Sequence, residues 1–163
     1  YMREEEKLAR DVYLTMFDAW GLAVFDNIAA SEQTHTDSVK DMIEKYRLAD
    51  PVVDDSIGVF VNQELATLYA KLIARGTQSS LEALHVGAYI EEVDMVDLAR
   101  AIEATDNADI RQLYENLMSG SRNHLRAYVG QIENLGVVYE AQYLSQDEVD
   151  AIVDSPIERG RRR

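Results

Sequence analysis

Glu32 and His35 stand three residues apart inside a helical run from about Asn27 to Tyr46. At that spacing they project from nearly the same face of an α-helix. The face also carries Ile28, Val39, Met42 and Tyr46, so it points toward a core. A carboxylate and an imidazole are costly to bury there unless something pairs with them. A metal ion is one such partner, and Glu-x-x-His is a helical metal-ligand spacing. Three more polar residues fall on apolar stripes. Glu5 continues Leu8, Val12 and Met16 by one turn, with Glu4, Glu6 and Lys7 to the sides. Glu91 completes Leu81, Leu84, Ala88, Met95, Leu98 and Ile102, with Glu92 beside it as an alternative. His124 lies in Ile110, Leu113, Leu117, Ser121, Tyr128 and Leu135.

Each of these residues also has a bland reading. A Glu at a stripe edge usually reaches water, and a lone buried His is usually a hydrogen-bonded core residue. Their coincidence on four helices shifts the balance. Three carboxylates buried together would repel strongly, so a bound cation is the economical explanation. Tyr128, one turn after His124, and Tyr13, near the Glu5 stripe, are candidates for orienting a ligand, although core tyrosines are commoner. His85 reads as a surface residue, and Arg122 and Arg126 as ordinary ion-pair formers. Asp94, Asp97, Glu103 and Asp106 read as a solvated face.

The elements that must position these residues are helices. The periodicity predicts a first helix from Met2 to about Trp20, closed by Gly21, with Leu22–Asp26 as a connection. The second ends near Leu48, before Pro51. Residues 52–60 read as a loop, and a short helix over about 62–74 precedes Gly76. A long helix follows from Ser80 to about Ala104, and another from Ala108 to Leu135 after the Thr105-Asp106-Asn107 capping cluster. Gly136 is the expected cap, 137–143 an extended segment, and Ser145 with Glu148 a capping box opening a small helix. The expectation is an all-α, single-domain four-helix bundle over residues 1–155, with a short helix in the long crossover between its second and third long helices. Residues 156–163 are expected to form a disordered basic tail.

Composition narrows the chemistry. The chain has 163 residues, enough to bury one sizeable core, and a net charge of −14, which argues against a nucleic-acid surface or an anionic membrane. It has no cysteine, so disulfides, iron–sulfur clusters and thiolate-bound zinc are excluded. Carboxylate, imidazole and water ligands favour iron or manganese, with zinc as a further option. No apolar run is long enough to span a bilayer, so membrane insertion is not expected. The expected location is the cytoplasm, with a removed N-terminal signal segment left open because the first residue is Tyr1.

Three stretches carry a resemblance. Glu4-Glu5-Glu6-Lys7-Leu8-Ala9-Arg10-Asp11-Val12-Tyr13, Ile90-Glu91-Glu92-Val93-Asp94 and Gly120-Ser121-Arg122-Asn123-His124-Leu125-Arg126 resemble an uncharacterised ferritin-like family of bacteria and archaea, a domain of unknown function. That family is similar to the ferritin-like di-iron carboxylate superfamily. The resemblance implies a ferritin-like four-helix bundle with Glu5, Glu32, His35, Glu91 and His124 as metal ligands and Glu32 as the bridge if two ions bind. Ser121 stands where the superfamily has a Glu, which leaves the centre asymmetric, mononuclear, or completed by water or Glu92. By analogy the expected function is metal binding, with oxidoreductase activity on oxygen, peroxide or ferrous iron. The alternatives are metal storage and a metal-free structural or protein-interaction bundle. Metal ions are the expected partners, with a homodimer compatible.

Overall fold

The computed structural model describes residues 1–158 as six α-helices, with no strand among them. They fall into two compact units, Tyr1–Ala83 and the chain from Leu84 onward. No helix of the described residues is long and apolar enough to cross a membrane.

In the first unit, α1 (Met2–Trp20) and α2 (Ala23–Lys45) pack together, and α3 (Gln63–Gly76) packs on α1. Gly21 takes φ 63°, a left-handed conformation in which glycine meets no Cβ penalty, and its N–H donates to the Phe17 carbonyl. The next helix starts at Ala23, four residues before the expected Asn27. Phe25 is fully buried, so the expected connection is instead a packed first turn, with Asp26 placed favourably for the helix dipole. α3 is capped by Asn62, whose side chain accepts from the N–H groups of Glu64 and Leu65. Trp20 Nε1 donates to the Gly76 carbonyl at 2.9 Å, tying the ends of α1 and α3 together.

One expectation about α1 fails. Every residue from Met2 to Tyr13 is buried, including Glu4, Glu6 and Lys7, which the stripe reading placed at the sides. For Glu4 and Lys7 the cause is the 46–62 segment, which supplies polar partners to the charged face of α1, whereas Glu6 meets His35 of α2. Glu4 Oε1 accepts from the N–H groups of Val61 (2.6 Å) and Asn62 (3.2 Å). Lys7 Nζ donates to Asp11 Oδ2 at 2.5 Å and to the Ser56 carbonyl at 2.8 Å, with the Phe60 ring 4.6 Å away. Arg10 pairs with Asp11 and with Asp55, and Arg3 with Asp50. These bonds replace the water that buried charges give up.

In the second unit, α4 (Ser80–Ala104, its first residues in the preceding unit) and α5 (Ala108–Asn134) are joined across Asn107, whose side chain accepts from Asp109 N–H. Leu84, Ala88, Leu98, Leu117 and Leu125 supply core, while Leu135 is 60% exposed because it lies past the helix end. Ile132, one turn before the helix end, is fully buried. α6 (Gln146–Val153) opens on the expected Ser145–Glu148 capping box. Residues 137–144 hold no regular structure and are fixed by Glu92 (below). Of the tail expected over 156–163, residues 159–163 lie outside the described residues, and Glu158 is held by Arg122 at 2.5 Å and by Arg126 and Asn123.

Gly87 shows how close the packing is. A Cβ there would meet the Tyr128 ring at 2.6 Å, and Tyr128 is fully buried. Gly87→Ala gains up to about 1 kcal/mol of helix propensity, but the overpacking costs about 1–3 kcal/mol. A net loss of stability is expected, measured as a lower midpoint in urea unfolding.

Candidate metal centre

Glu32 and His35 share one face of α2, as their spacing requires. Glu32 is 2% exposed and the His35 side chain 13%. Their contact is direct, with His35 Nδ1 2.8 Å from Glu32 Oε2. The same Nδ1 lies 3.2 Å from Glu6 Oε2, so two carboxylates from two helices converge on one imidazole nitrogen. The other Glu6 oxygen, Oε1, is buried and has no hydrogen-bond partner among the described residues. Leaving a buried carboxylate oxygen unpaired costs about 1–3 kcal/mol or more, so such an atom calls for an explanation.

The geometry suits an ion. One donor atom from each of Glu6, Glu32 and His35 lies within 4.8 Å of the others. Two ligands on opposite sides of a first-row metal sit about 4.0–4.4 Å apart, at about 2.0–2.2 Å each, so donor atoms this close together are within reach of one ion. Carboxylate oxygens and an imidazole nitrogen are also the donor set that iron, manganese and zinc accept.

The electrostatics without an ion are strained in the same sense. Burial, reinforced by the Glu32 charge, pushes the Glu6 carboxyl up to about 8, against the pull of His35. Burial disfavours the His35 imidazolium, but the Glu32 and Glu6 carboxylates outweigh it and raise the group to about 11. Both groups hold protons more tightly folded than unfolded. Stability of the metal-free protein from Glu6 therefore falls as pH rises from 4.5 through about 8. The part from His35 falls from 6.5 through about 11. Between pH 5 and pH 9 the metal-free protein should lose thermal stability, with a shallower slope in Glu6→Gln. An equal slope in the two proteins would contradict this assignment. Metal binding must displace these protons, so affinity should rise across the same window.

In the second unit, Glu91 and His124 face each other from α4 and α5, with His124 Nδ1 3.5 Å from Glu91 Oε2. Glu91 is 2% exposed and His124 8%. One turn along, Ser121 Oγ lies 2.6 Å from Asp94 Oδ2 and 3.0 Å from the Leu117 carbonyl, and both Ser121 and Asp94 are buried. Asp94 is thus not part of a solvated face, because the Ser121 hydroxyl gives it a partner inside. Tyr128 is fully buried, as is Tyr13, whose ring centroid lies 6.3 Å from that of Phe25.

The remaining candidates fall as follows. Glu5 is buried on α1 but is not part of the group that Glu6 and Glu32 form with His35. Glu92 is fully buried, and its two oxygens accept from Tyr139 Oη (2.5 Å) and the N–H groups of Gln142, Tyr143 and Leu144. Its carboxylate fixes the 137–144 segment. His85 is half-buried, stacked on Tyr139 with ring centroids 5.7 Å apart, which corrects its reading as a surface residue. Arg122 and Arg126 form the ion pairs expected of them, both with Glu158. The residue that periodicity overlooked is Glu6. Its signal was compositional, since a helix start mixing Arg3, Lys7 and Arg10 with acids can be buried all round if a loop covers it.

Nearly the whole chain length fits one family. The chain belongs to the uncharacterized protein domain family DUF2202, which matches residues 1–156. It is 55% identical over 162 residues to the uncharacterized protein MJ0754 of Methanocaldococcus jannaschii, covering 99% of this chain and 88% of that protein. The crystal structure of the hypothetical protein MJ0754 from Methanococcus jannaschii DSM 2661 matches it with a TM-score of 0.94 and 55% identity. That match covers 96% of this chain and 90% of the other.

Proposed function

We propose that this protein is a ferritin-like metal-binding protein that holds iron or manganese on carboxylates and imidazoles of its long helices. The observation that carries the reading is the buried Glu6 Oε1, which has no hydrogen-bond partner among the described residues although it lies beside the Glu32–His35 contact. Glu6, Glu32 and His35 would hold an ion in the first unit. Glu91 and His124 are the carboxylate–imidazole pair of the second, and Glu5 is retained as a ligand from the sequence expectation. Either one or two ions per chain satisfies the reading.

An iron or manganese ion supplies one-electron redox chemistry and Lewis acidity, which fits reduction of oxygen or peroxide, or oxidation of ferrous iron. The protein's own part is narrower. Glu32 and Glu6 would neutralise the ion's charge, and the protons held by Glu6 and His35 would leave as it binds. The buried walls keep bulk water from competing for the ligands. Ser121, bonded to Asp94, offers no carboxylate, so the donor set differs between the Glu32/His35 helix and the His124 helix.

A second reading has its own support. His35 as an imidazolium between Glu6 and Glu32 is a self-consistent ion-pair network without metal, and a structural bundle would need no more. Elemental analysis of protein purified without added metal or an affinity tag separates the two. The metal reading expects close to one equivalent or more of iron or manganese per chain. Less than about a tenth of an equivalent, even after reconstitution, supports the structural reading, since such ligand sets retain first-row metals.

A further inference from the structure

The second unit contains a cleft of about 450 Å³, formed by α4, α5 and α6 with Leu144. This lies within the range of small-molecule sites, about 300–1,000 Å³. Met95, Val96, Ala99, Met118, Leu144 and Ile152 provide apolar walls. Two of the six are methionines, whose unbranched thioethers adapt to the shape of what they contact.

The charged residues at the cleft decide which ligand it suits. Arg122 also lines it, but its Nε and Nη2 are matched to the two oxygens of Glu158 at 2.5 and 2.6 Å. Arg100 is paired with Asp97 at 3.0 Å. Glu148 is engaged in the α6 capping box with Ser145. Among the described residues, three of the four charges at the rim are therefore already answered within the protein, and the fourth, Glu103, is solvent-exposed. An anionic ligand would have to break an arginine pair to gain a counter-charge, and Glu103, outside these pairs, is exposed and hydrated, so an uncharged ligand fits the cleft with its pairs in place. The Glu158 pairing uses Nε and Nη2 of Arg122, which leaves Nη1 as the further donor of that guanidinium.

We infer that this cleft is a binding site for an uncharged, largely apolar small molecule carrying one acceptor oxygen, seated between Met95 and Met118 with its oxygen toward Arg122. The site is independent of the metal centre, and none of its lining residues is a proposed ligand.

The test uses Nile red, a neutral apolar dye with a carbonyl oxygen, titrated against the full chain, with the anionic dye 1-anilinonaphthalene-8-sulfonate as the charged comparison. Saturable binding of one dye per chain is expected, with a blue-shifted emission. Affinity should fall at least tenfold in both Ala99→Phe and Met118→Trp, which fill the cleft, while circular dichroism shows unchanged helix content. The anionic dye should bind at least tenfold more weakly than Nile red at this site. If one variant loses helix content, the other decides. Equal Nile red binding in wild type and a folded cleft-filling variant overturns the proposal, as does no saturable binding at all. Displacement of Nile red by the anionic dye at comparable affinity overturns the uncharged class.

Discussion

His35→Ala should lower the affinity of the protein for manganese or ferrous iron by at least about a hundredfold. Changing groups that only orient a ligand typically costs ten- to a hundredfold, and His35 is the one nitrogen that the first-unit group offers. The substitution also leaves Glu6 and Glu32 facing each other with no imidazole between them. Two buried carboxylates so placed retain a proton, and a cation must then displace it without the nitrogen ligand. Isothermal titration with Mn²⁺ at pH 7.5, on protein first stripped with a chelator, reads the effect. Metal binding unchanged within about threefold would remove His35 from the ligand set. Glu6→Gln should behave similarly but more mildly, because the amide oxygen can still approach an ion without its charge.

Asp11→Ala carries the largest expected loss of stability. Asp11 is fully buried and holds four donors from two parts of the chain. Lys7 Nζ sits 2.5 Å from Oδ2, Arg10 Nε and Nη2 3.0 and 2.8 Å from Oδ1, and Gly58 N–H 2.9 Å from Oδ2. Removing it strands Lys7, itself fully buried, and unfastens the 46–62 segment from α1. Breaking a buried pair by deleting one partner costs about 3–5 kcal/mol, against a total stability of about 5–15 kcal/mol for a typical domain. Asp11→Asn should lose less, since its amide oxygen can still accept from Gly58 N–H. Urea unfolding followed by circular dichroism measures both, and a loss under about 1 kcal/mol in Asp11→Ala would mean that this cluster does not hold the segment in place. Buried pairs are little screened, so the difference should persist in 0.5 M salt.

Much of the fold is local information and was legible from local signals. The start of α4, where the Ser79 hydroxyl accepts from Glu82 N–H, the Asn107 cap and the Ser145–Glu148 capping box follow from side chains that satisfy the first backbone N–H groups. Glu91 and His124 were found because a polar residue interrupts an otherwise apolar stripe. Glu6 was not, because stripe reading assumes one dry face and one wet face. Between Met2 and Tyr13, α1 has no wet face. That fact depends on where residues 46–62 return to, which no helical periodicity encodes. Asp94 was misread for a similar reason. Its partner, the Ser121 hydroxyl, is on another helix. The early start of α2 is a smaller case, where tertiary burial of Phe25 extends a helix through residues whose composition suggests a connection.

The central claim is that the carboxylates around His35 are there to hold an ion. A crystal grown with Mn²⁺ and measured above the manganese absorption edge tests it directly. The account predicts an anomalous difference peak about 2.0–2.3 Å from a His35 ring nitrogen and from oxygens of Glu32 and Glu6, with Glu6 Oε1 or Oε2 turned to it. Full-occupancy protein with no peak there, or with peaks only among surface carboxylates, would contradict it.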